Sequence, residues 1–292
     1  MKPTVIKRLR RLLILLLIIY IAWCITLYFA QTALLYPRAL AGAPLPDTLI
    51  PKAVERLWLD RPDGVRVESW LLRPPAAKPA ERFPLVVYFH GNAELIDHCT
   101  DLVQPWLDRG YAFLLPEFRG YGRTGGSPRE DAIVSDAVAA CRALVNRPDI
   151  DANRIILHGR SLGAAVAVQV AEQLRGGSPP MTSHAISVKA LIIESPFISV
   201  ASFAWRHGIP PFLCTSPFHT DTVLPTLACP TLIISSREDE IIPFAHGERL
   251  HSLAPASTLI ELSGQHNSDL TAQPQYWQAI DGLLRAMDDS SR

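Results

Sequence analysis

The sequence predicts an α/β fold in which a mostly parallel sheet is covered by helices on both faces. Three observations predict it. Short apolar runs recur along the chain, stretches of helical periodicity separate them, and several runs are apolar throughout instead of alternating with polar residues. Strands apolar on both sides are buried on both sides, as parallel strands flanked by crossover helices are.

Taken in order, Val54–Leu59 and Val65–Leu72 read as two strands joined by the turn Arg61-Pro62-Asp63-Gly64. Leu85–Phe89 is a continuous apolar run, as expected of a buried central strand. Helical periodicity follows over Leu95–Leu107, then a strand at Tyr111–Leu115 and a helix from about Asp131 to Val145. The short strand Arg154–Leu157 runs straight into Gly159 and a helix of small residues, Ser161–Leu174. Ala190–Ile193 and Thr231–Ser235 are two further buried strands. A helix near Phe244–Leu253, a strand at Thr258–Leu262 and a helix from about Pro274 to Met287 close the chain. No internal repeat interrupts this alternation.

A chain of 292 residues suffices for one large α/β domain. Its 28 basic and 28 acidic side chains balance, which gives no support to a nucleic-acid partner. The basic residues are unevenly spread. Lys2, Lys7, Arg8, Arg10 and Arg11 crowd residues 1–11, directly before the uncharged apolar run 12–30. As a helix that run reaches about 28 Å, the thickness of a bilayer's hydrocarbon layer. A cleaved signal peptide is the competing reading. The run is longer than a usual signal core, however, and Tyr28 is too bulky for a good cleavage site after Ala30. The expectation is an uncleaved signal anchor, with the positive end in the cytoplasm and the catalytic domain outside: periplasmic, lumenal or extracellular. Residues 31–53 then form a connector, and 54–292 the domain. Among the five cysteines no Cys-x-x-Cys or zinc-like spacing occurs, and the sequence does not pair them.

Chemistry concentrates at Gly159-Arg160-Ser161-Leu162-Gly163. A Gly-x-Ser-x-Gly between a short strand and a small-residue helix forces the serine onto a strained turn, where small flanking residues avoid clashes. A serine hydroxyl becomes a nucleophile only beside a base. Downstream stand His219, His246, His251 and His266. His266 lies in a loop directly after the last strand, whereas His246 and His251 fall on a helix and read as surface residues, and His219 comes too early. Asp239, following the strand Thr231–Ser235, is the expected acid, with Glu194 at the end of the preceding strand as its rival. Backbone N–H groups of Leu162 and of Asn92, in His90-Gly91-Asn92-Ala93, are the expected oxyanion donors, and His90 reads as a brace for that loop.

Two clusters are weighed and set apart. Asp97, His98, Cys99 and Asp101 are poorly spaced for a closed metal site and read as a solvated polar face. Phe197–Phe218 is aromatic and proline-rich at a position suited to a cap, and is open between an acyl-binding wall and core packing.

Leu85–Ala93, Phe118-Arg119-Gly120-Tyr121-Gly122-Arg123-Thr124-Gly125-Gly126-Ser127-Pro128 and the serine pentapeptide together resemble the bud-emergence (Bem) type of α/β-hydrolase. That group has single-pass membrane-anchored members and is related to protein depalmitoylases. Glu194-Ser195-Pro196-Phe197, the region Cys229–Asn267, and the apolar run followed by Gln31–Pro37 extend the likeness over most of the chain. The resemblance implies an α/β-hydrolase fold, Ser161, Asp239 and His266 as a triad, and Asn92 with Leu162 lining an oxyanion hole. Many relatives carry Gly where this chain has Glu94, a departure that bears on the shape and charge of the oxyanion loop. The link Gly176–Val188 also looks expanded. The expected activity is hydrolysis of a carboxylic ester or thioester, lipid-like given the anchor, without cofactor or metal. A peptidase or amidase of the same fold is the alternative enzyme, and a membrane-anchored scaffold without catalysis the alternative of another class.

Overall fold

The computed structural model describes residues 3–75, 81–176, 186–206 and 208–289. The link Gly176–Val188 falls largely outside the described residues. Eight strands form one sheet: β1 (Glu55–Asp60), β2 (Arg66–Leu72), β3 (Phe83–Phe89), β4 (Ala112–Pro116), β5 (Ile150–Arg160), β6 (Val188–Glu194), β7 (Thr231–Ser235) and β8 (Ser257–Glu261). Their order is β1-β2-β4-β3-β5-β6-β7-β8. β2 is antiparallel to both its neighbours, and every pairing from β4 across to β8 is parallel. The predicted mostly parallel sheet is what the chain forms.

Strand alternation sorts the core into two layers. On β3, Leu85, Val87 and Phe89 enter one layer while Val86 and Tyr88 enter the other. The first layer is covered by α3 (Glu130–Val145), α4 (Leu162–Gly176) and α7 (Ala245–Leu253). The second is covered by α2 (Val103–Asp108) and α8 (Pro274–Asp289), through Trp106, Tyr276 and Ile280. α4 is apolar on nearly every side, and Ala164 to Val168 are fully buried. Two short helices, α5 (Val200–Arg206) and α6 (Thr220–Val223), lie between β6 and β7.

Ahead of the sheet runs α1 (Pro3–Leu35), a helix long and apolar enough to cross a membrane. It continues through Gln31–Leu35, so the connector begins later than the composition suggested. The helix predicted at Leu95–Leu107 is a correction. Two 3-10 turns, Ile96–His98 and Thr100–Leu102, precede the short α2. Pro105, tolerated in the first turn of α2, would clash with the carbonyl of Asp101 in a helix begun at Leu95. Asp97 is also not on a solvated face. It is buried, accepting from Arg123 at 3.0 Å and from Leu45 N–H at 2.9 Å, which ties the connector to the domain. Cys99 is buried as well. All five cysteines are free thiols.

β3 and β5 are sheet neighbours, and from β3 the chain winds first toward β4 and then back to β5 on the other side. Their carboxyl ends open onto the crevice where the winding reverses, the place where open α/β sheets receive ligands. The loops after β3, β5, β7 and β8 meet there.

Candidate active site

Ser161 lies between the last residue of β5 and the first of α4, at φ = 53°, a left-handed conformation costing a serine about 1–3 kcal/mol. The neighbouring glycines allow the turn. A Cβ on Gly159 would come within 2.1 Å of Gly163 O, and one on Gly163 within 2.0 Å of Phe89 O. Only hydrogen atoms fit at either position. The strained turn is held by Ser161 N–H donating to Glu194 O at 2.8 Å and Ala164 N–H donating to Ser161 O at 3.1 Å.

His266 Nε2 lies 3.1 Å from Ser161 Oγ, and its Nδ1 lies 2.8 Å from Asp239 Oδ2. The other Asp239 oxygen accepts Ile241 N–H at 2.9 Å and Ile242 N–H at 2.7 Å. All three side chains are buried. Burial acts to raise the Asp239 carboxyl, but the hydrogen bonds from His266 and from Ile242 and Ile241 N–H outweigh it and hold it below its ordinary value. A carboxylate that stays ionised here fixes the imidazole with its proton on Nδ1 and leaves Nε2 to accept from the serine hydroxyl.

Glu194 does not reach His266. Its carboxylate pairs with His158 and accepts from Tyr276 OH at 2.5 Å, in a buried cluster among residues of the second core layer. Burial pushes Glu194 up, and His158 and Tyr276 overcome that and set it below its ordinary value. The other histidines are placed elsewhere. His251 bonds Ser257 Oγ at 2.8 Å on the surface, and His219 is exposed beside Asp221. His246 is half-buried instead of a surface residue, because it stacks on Phe203 at 5.3 Å and accepts Ile198 N–H at 3.1 Å.

The loop after β3 is held from several sides. Ala93 sits at φ = 58°. The Asn92 amide is anchored at both ends: its oxygen accepts from Tyr121 OH at 2.8 Å, and its nitrogen donates to Leu35 O at the end of α1. The Asn92 side chain is therefore committed, and its backbone N–H is the group left to serve a ligand. Leu162, as the first residue of α4, contributes one of the unpaired N–H groups of a helix start. His90 braces the loop, with Nδ1 2.8 Å from Gly91 O and Nε2 2.8 Å from Glu117 Oε1. Burial presses His90 toward neutrality, but the Glu117 carboxylate and Gly91 O more than offset it, raising its pKa above the ordinary value.

Glu94 explains itself in the same network. Its carboxylate accepts Gly91 N–H at 2.7 Å and pairs with Arg160, the second residue of the serine pentapeptide. Arg160 in turn donates to His266 O at 2.7 Å. The extra negative charge is thus neutralised in place, and the three loops bearing Asn92, Ser161 and His266 are linked. Sequence reasoning missed Arg160, Tyr121 and Leu35 in these roles. The Phe118–Pro128 motif carried the signal for Tyr121, and the charge opposition of Glu94 and Arg160 was visible but not its partners. The segment Phe197–Phe218 splits: Phe197 and Phe218 are core, whereas Trp205 and Phe212 are exposed. Among the described residues no three His, Cys, Asp or Glu side chains gather as they would around a metal ion.

A doubly wound parallel sheet with a Gly-x-Ser-x-Gly turn at its switch point defines an α/β-hydrolase, and the chain belongs to that family. Residues 80–217 match a hydrolase family model described as serine aminopeptidase, S33. The α/β-hydrolase domain-containing protein WAV2 of Arabidopsis thaliana is 30% identical over 276 residues, covering 85% of each chain. Lysophosphatidylserine lipase ABHD12 of Danio rerio is 28% identical, covering 86% of this chain and 74% of the lipase. Protein bem46 of Schizosaccharomyces pombe is 27% identical over 74% of this chain and 72% of its own, in line with the Bem-type resemblance. Among solved structures, an acetyl xylan esterase from Paenibacillus sp. R4 shares the fold, with a TM-score of 0.63 at 15% identity over 86% of this chain and 91% of the esterase.

Proposed function

We propose that the protein is a membrane-anchored serine hydrolase that cleaves a carboxylic ester or thioester through an acyl-enzyme on Ser161. The observation that carries this reading is the unbroken series of contacts from Asp239 through His266 to Ser161 Oγ, at a strained turn flanked by the N–H groups of Asn92 and Leu162. In the first step Ser161 Oγ attacks the substrate carbonyl carbon while His266 Nε2 takes the hydroxyl proton. Asp239 stabilises the imidazolium that forms. The carbonyl oxygen becomes an oxyanion facing the two backbone donors, each worth about 3–4 kcal/mol in the transition state. The intermediate collapses to the acyl-enzyme, and the leaving alcohol or thiol departs with the proton held by His266. Water then attacks with His266 again as base, and the acid is released.

This chemistry draws on Ser161, His266, Asp239 and backbone amides alone. α1 supplies the anchor, with residues 1–11 on the cytoplasmic side. The domain at 54–292 then works outside the cytoplasmic membrane. An ester substrate accords with the lipase relative, and a peptide or amide is the alternative that the family model's description carries.

The test is labelling of the full-length protein with a fluorophosphonate probe, set beside hydrolysis of p-nitrophenyl esters. Ser161→Ala is expected to lose labelling altogether and at least about 10⁴-fold in rate. Asp239→Asn is expected to lose about 10⁴-fold, and Glu194→Gln far less. A folded wild type that takes no label, or a near-normal rate in Asp239→Asn, overturns the assignment.

A further inference from the structure

α1 is more than a tether in this structure, because its second half forms one wall of a cavity of about 480 Å³. Trp23, Leu27 and Leu35 line that wall, and Phe203 and Ala204 of α5 with Ile209 line the other. The volume falls within the range of about 300–1,000 Å³ usual for small-molecule sites. The lining is almost wholly apolar. Its one amide, Gln31, is spoken for: Nε2 donates to Tyr28 O at 2.8 Å and Leu213 O at 3.3 Å, and Oε1 accepts Thr215 N–H at 2.7 Å. Leu35 also lines the cavity, and its carbonyl accepts from Asn92 in the loop beside Ser161.

The depth of this cavity follows from the charges. Arg11 is the last basic residue before the apolar stretch, and about 20 residues of helix cross the hydrocarbon layer. Residues 20–31 therefore lie in the part of the bilayer farther from the basic end, and the cap lies against them. Tyr20 OH donates to Gly208 O at 2.9 Å, joining the cap's tip to the middle of the span. In hydrocarbon a loop's backbone carbonyls need protein partners. Two of the cap's carbonyls find theirs on α1, Gly208 O in Tyr20 and Leu213 O in Gln31. Outward from the same segment project Trp205 and Phe212, 67% and 84% exposed, which water would disfavour and lipid would not.

We infer that Val200–Arg206 and residues 208–214 of the cap are seated in the outer leaflet against α1, and that the cavity between them holds one acyl chain of a membrane lipid with its carbonyl directed to Ser161. The inference builds on the serine-hydrolase reading of Ser161 and names its substrate class. An acyl chain suits the site because the cavity is apolar, is walled by the apolar helix α1 and includes Leu35, which touches the loop bearing Asn92. The chain enters from lipid without crossing water.

The experiment uses full-length Ser161→Ala protein in phosphatidylcholine vesicles containing a palmitoyl phospholipid with a diazirine at the chain end. Irradiation is expected to crosslink peptides from both 23–35 and 200–214. Ala204→Trp, which fills the cavity, is expected to cut that labelling at least fivefold, and Leu27→Trp does the same from the opposite wall. In protein that keeps Ser161, both variants should lower p-nitrophenyl palmitate hydrolysis at least tenfold. Crosslinks confined to 12–22, or labelling unchanged by both variants, overturn the inference. Crosslinking needs no catalysis, so loss of all ester hydrolysis in the wild type would instead count against the reading of Ser161 and leave the cavity standing.

Discussion

Arg160 occupies the variable second position of the serine pentapeptide, yet it touches two of the three loops that build the site besides its own. It pairs with Glu94, which holds Gly91 N–H, and it donates to His266 O. The bonds differ in geometry: the guanidinium directs separate N–H groups to a carboxylate and to a carbonyl, which a single ammonium cannot reproduce. On the proposed mechanism Arg160 is thus a positioning residue for the oxyanion loop and for the base. A misplacement of about 1 Å from such a change can cost about 100-fold in rate. Arg160→Ala is expected to lower kcat for a short-chain ester by about 10- to 100-fold with KM changed much less. Arg160→Lys is expected to restore only part of it. A wild-type kcat in Arg160→Ala, measured on protein shown by circular dichroism to be folded, would make the network decorative. At the same scale, Ser161 is constrained by its neighbours more than by its own chemistry, since Gly159 and Gly163 leave no room for a Cβ.

Strands and helices were the most legible level, and the reason is periodicity. β7 matches its apolar run at both ends, and β3, β4, α3 and α7 lie within two residues of their expected limits. That Ser161, Asp239 and His266 would meet was legible too, because strand ends and loop positions follow from the alternation of elements. What failed was non-local. The stretch after β3 reads as a helix by pattern, yet Pro105 and the long-range pair Asp97–Arg123 break it into turns. The docking of α1 against the cap left no local trace, since Tyr20 meets Gly208 across 188 positions of sequence. The loop after β3 carries an expectation at this scale. His90, buried between Glu117 and Gly91 O, has a folded pKa above its ordinary 6.5. Its contribution to stability is fully present below that ordinary value and is lost as pH rises through the folded one. Asp239 and Glu194 have folded pKa values below their ordinary ones, so their contributions hold above those ordinary values and fade as pH falls through the folded ones. Urea unfolding across pH is therefore expected to show losses on both flanks. His90→Asn should flatten the alkaline flank and Asp239→Asn the acidic one; flanks unchanged in both variants would remove these groups as the cause.

For the whole molecule, the proposed topology rests on the distribution of charge along α1. Four basic residues, Lys7, Arg8, Arg10 and Arg11, precede the apolar stretch within the helix, and Arg38 stands soon after it. Positive charge is retained on the cytoplasmic side during insertion, so in the proposed topology the steeper cluster keeps the N-terminus there and the domain lies across the membrane. The free thiols make this measurable, once Cys24, Cys99, Cys141, Cys214 and Cys229 are replaced by serine or alanine. In that background a cysteine is introduced at the exposed Lys52 or at the exposed Lys7. A membrane-impermeant maleimide applied to intact cells is expected to label Lys52→Cys directly. It should label Lys7→Cys only after the membrane is opened. The reverse pattern would place the domain in the cytoplasm. In that orientation the cap and its acyl cavity would still lie against α1, but they would draw on the lipids of the inner leaflet, because the cap is fixed to the domain-side half of the helix by Tyr20 and Gln31. Leaflet and topology are therefore one question, which the labelling decides; the basic cluster in residues 1–11 is the ground for proposing the outer face.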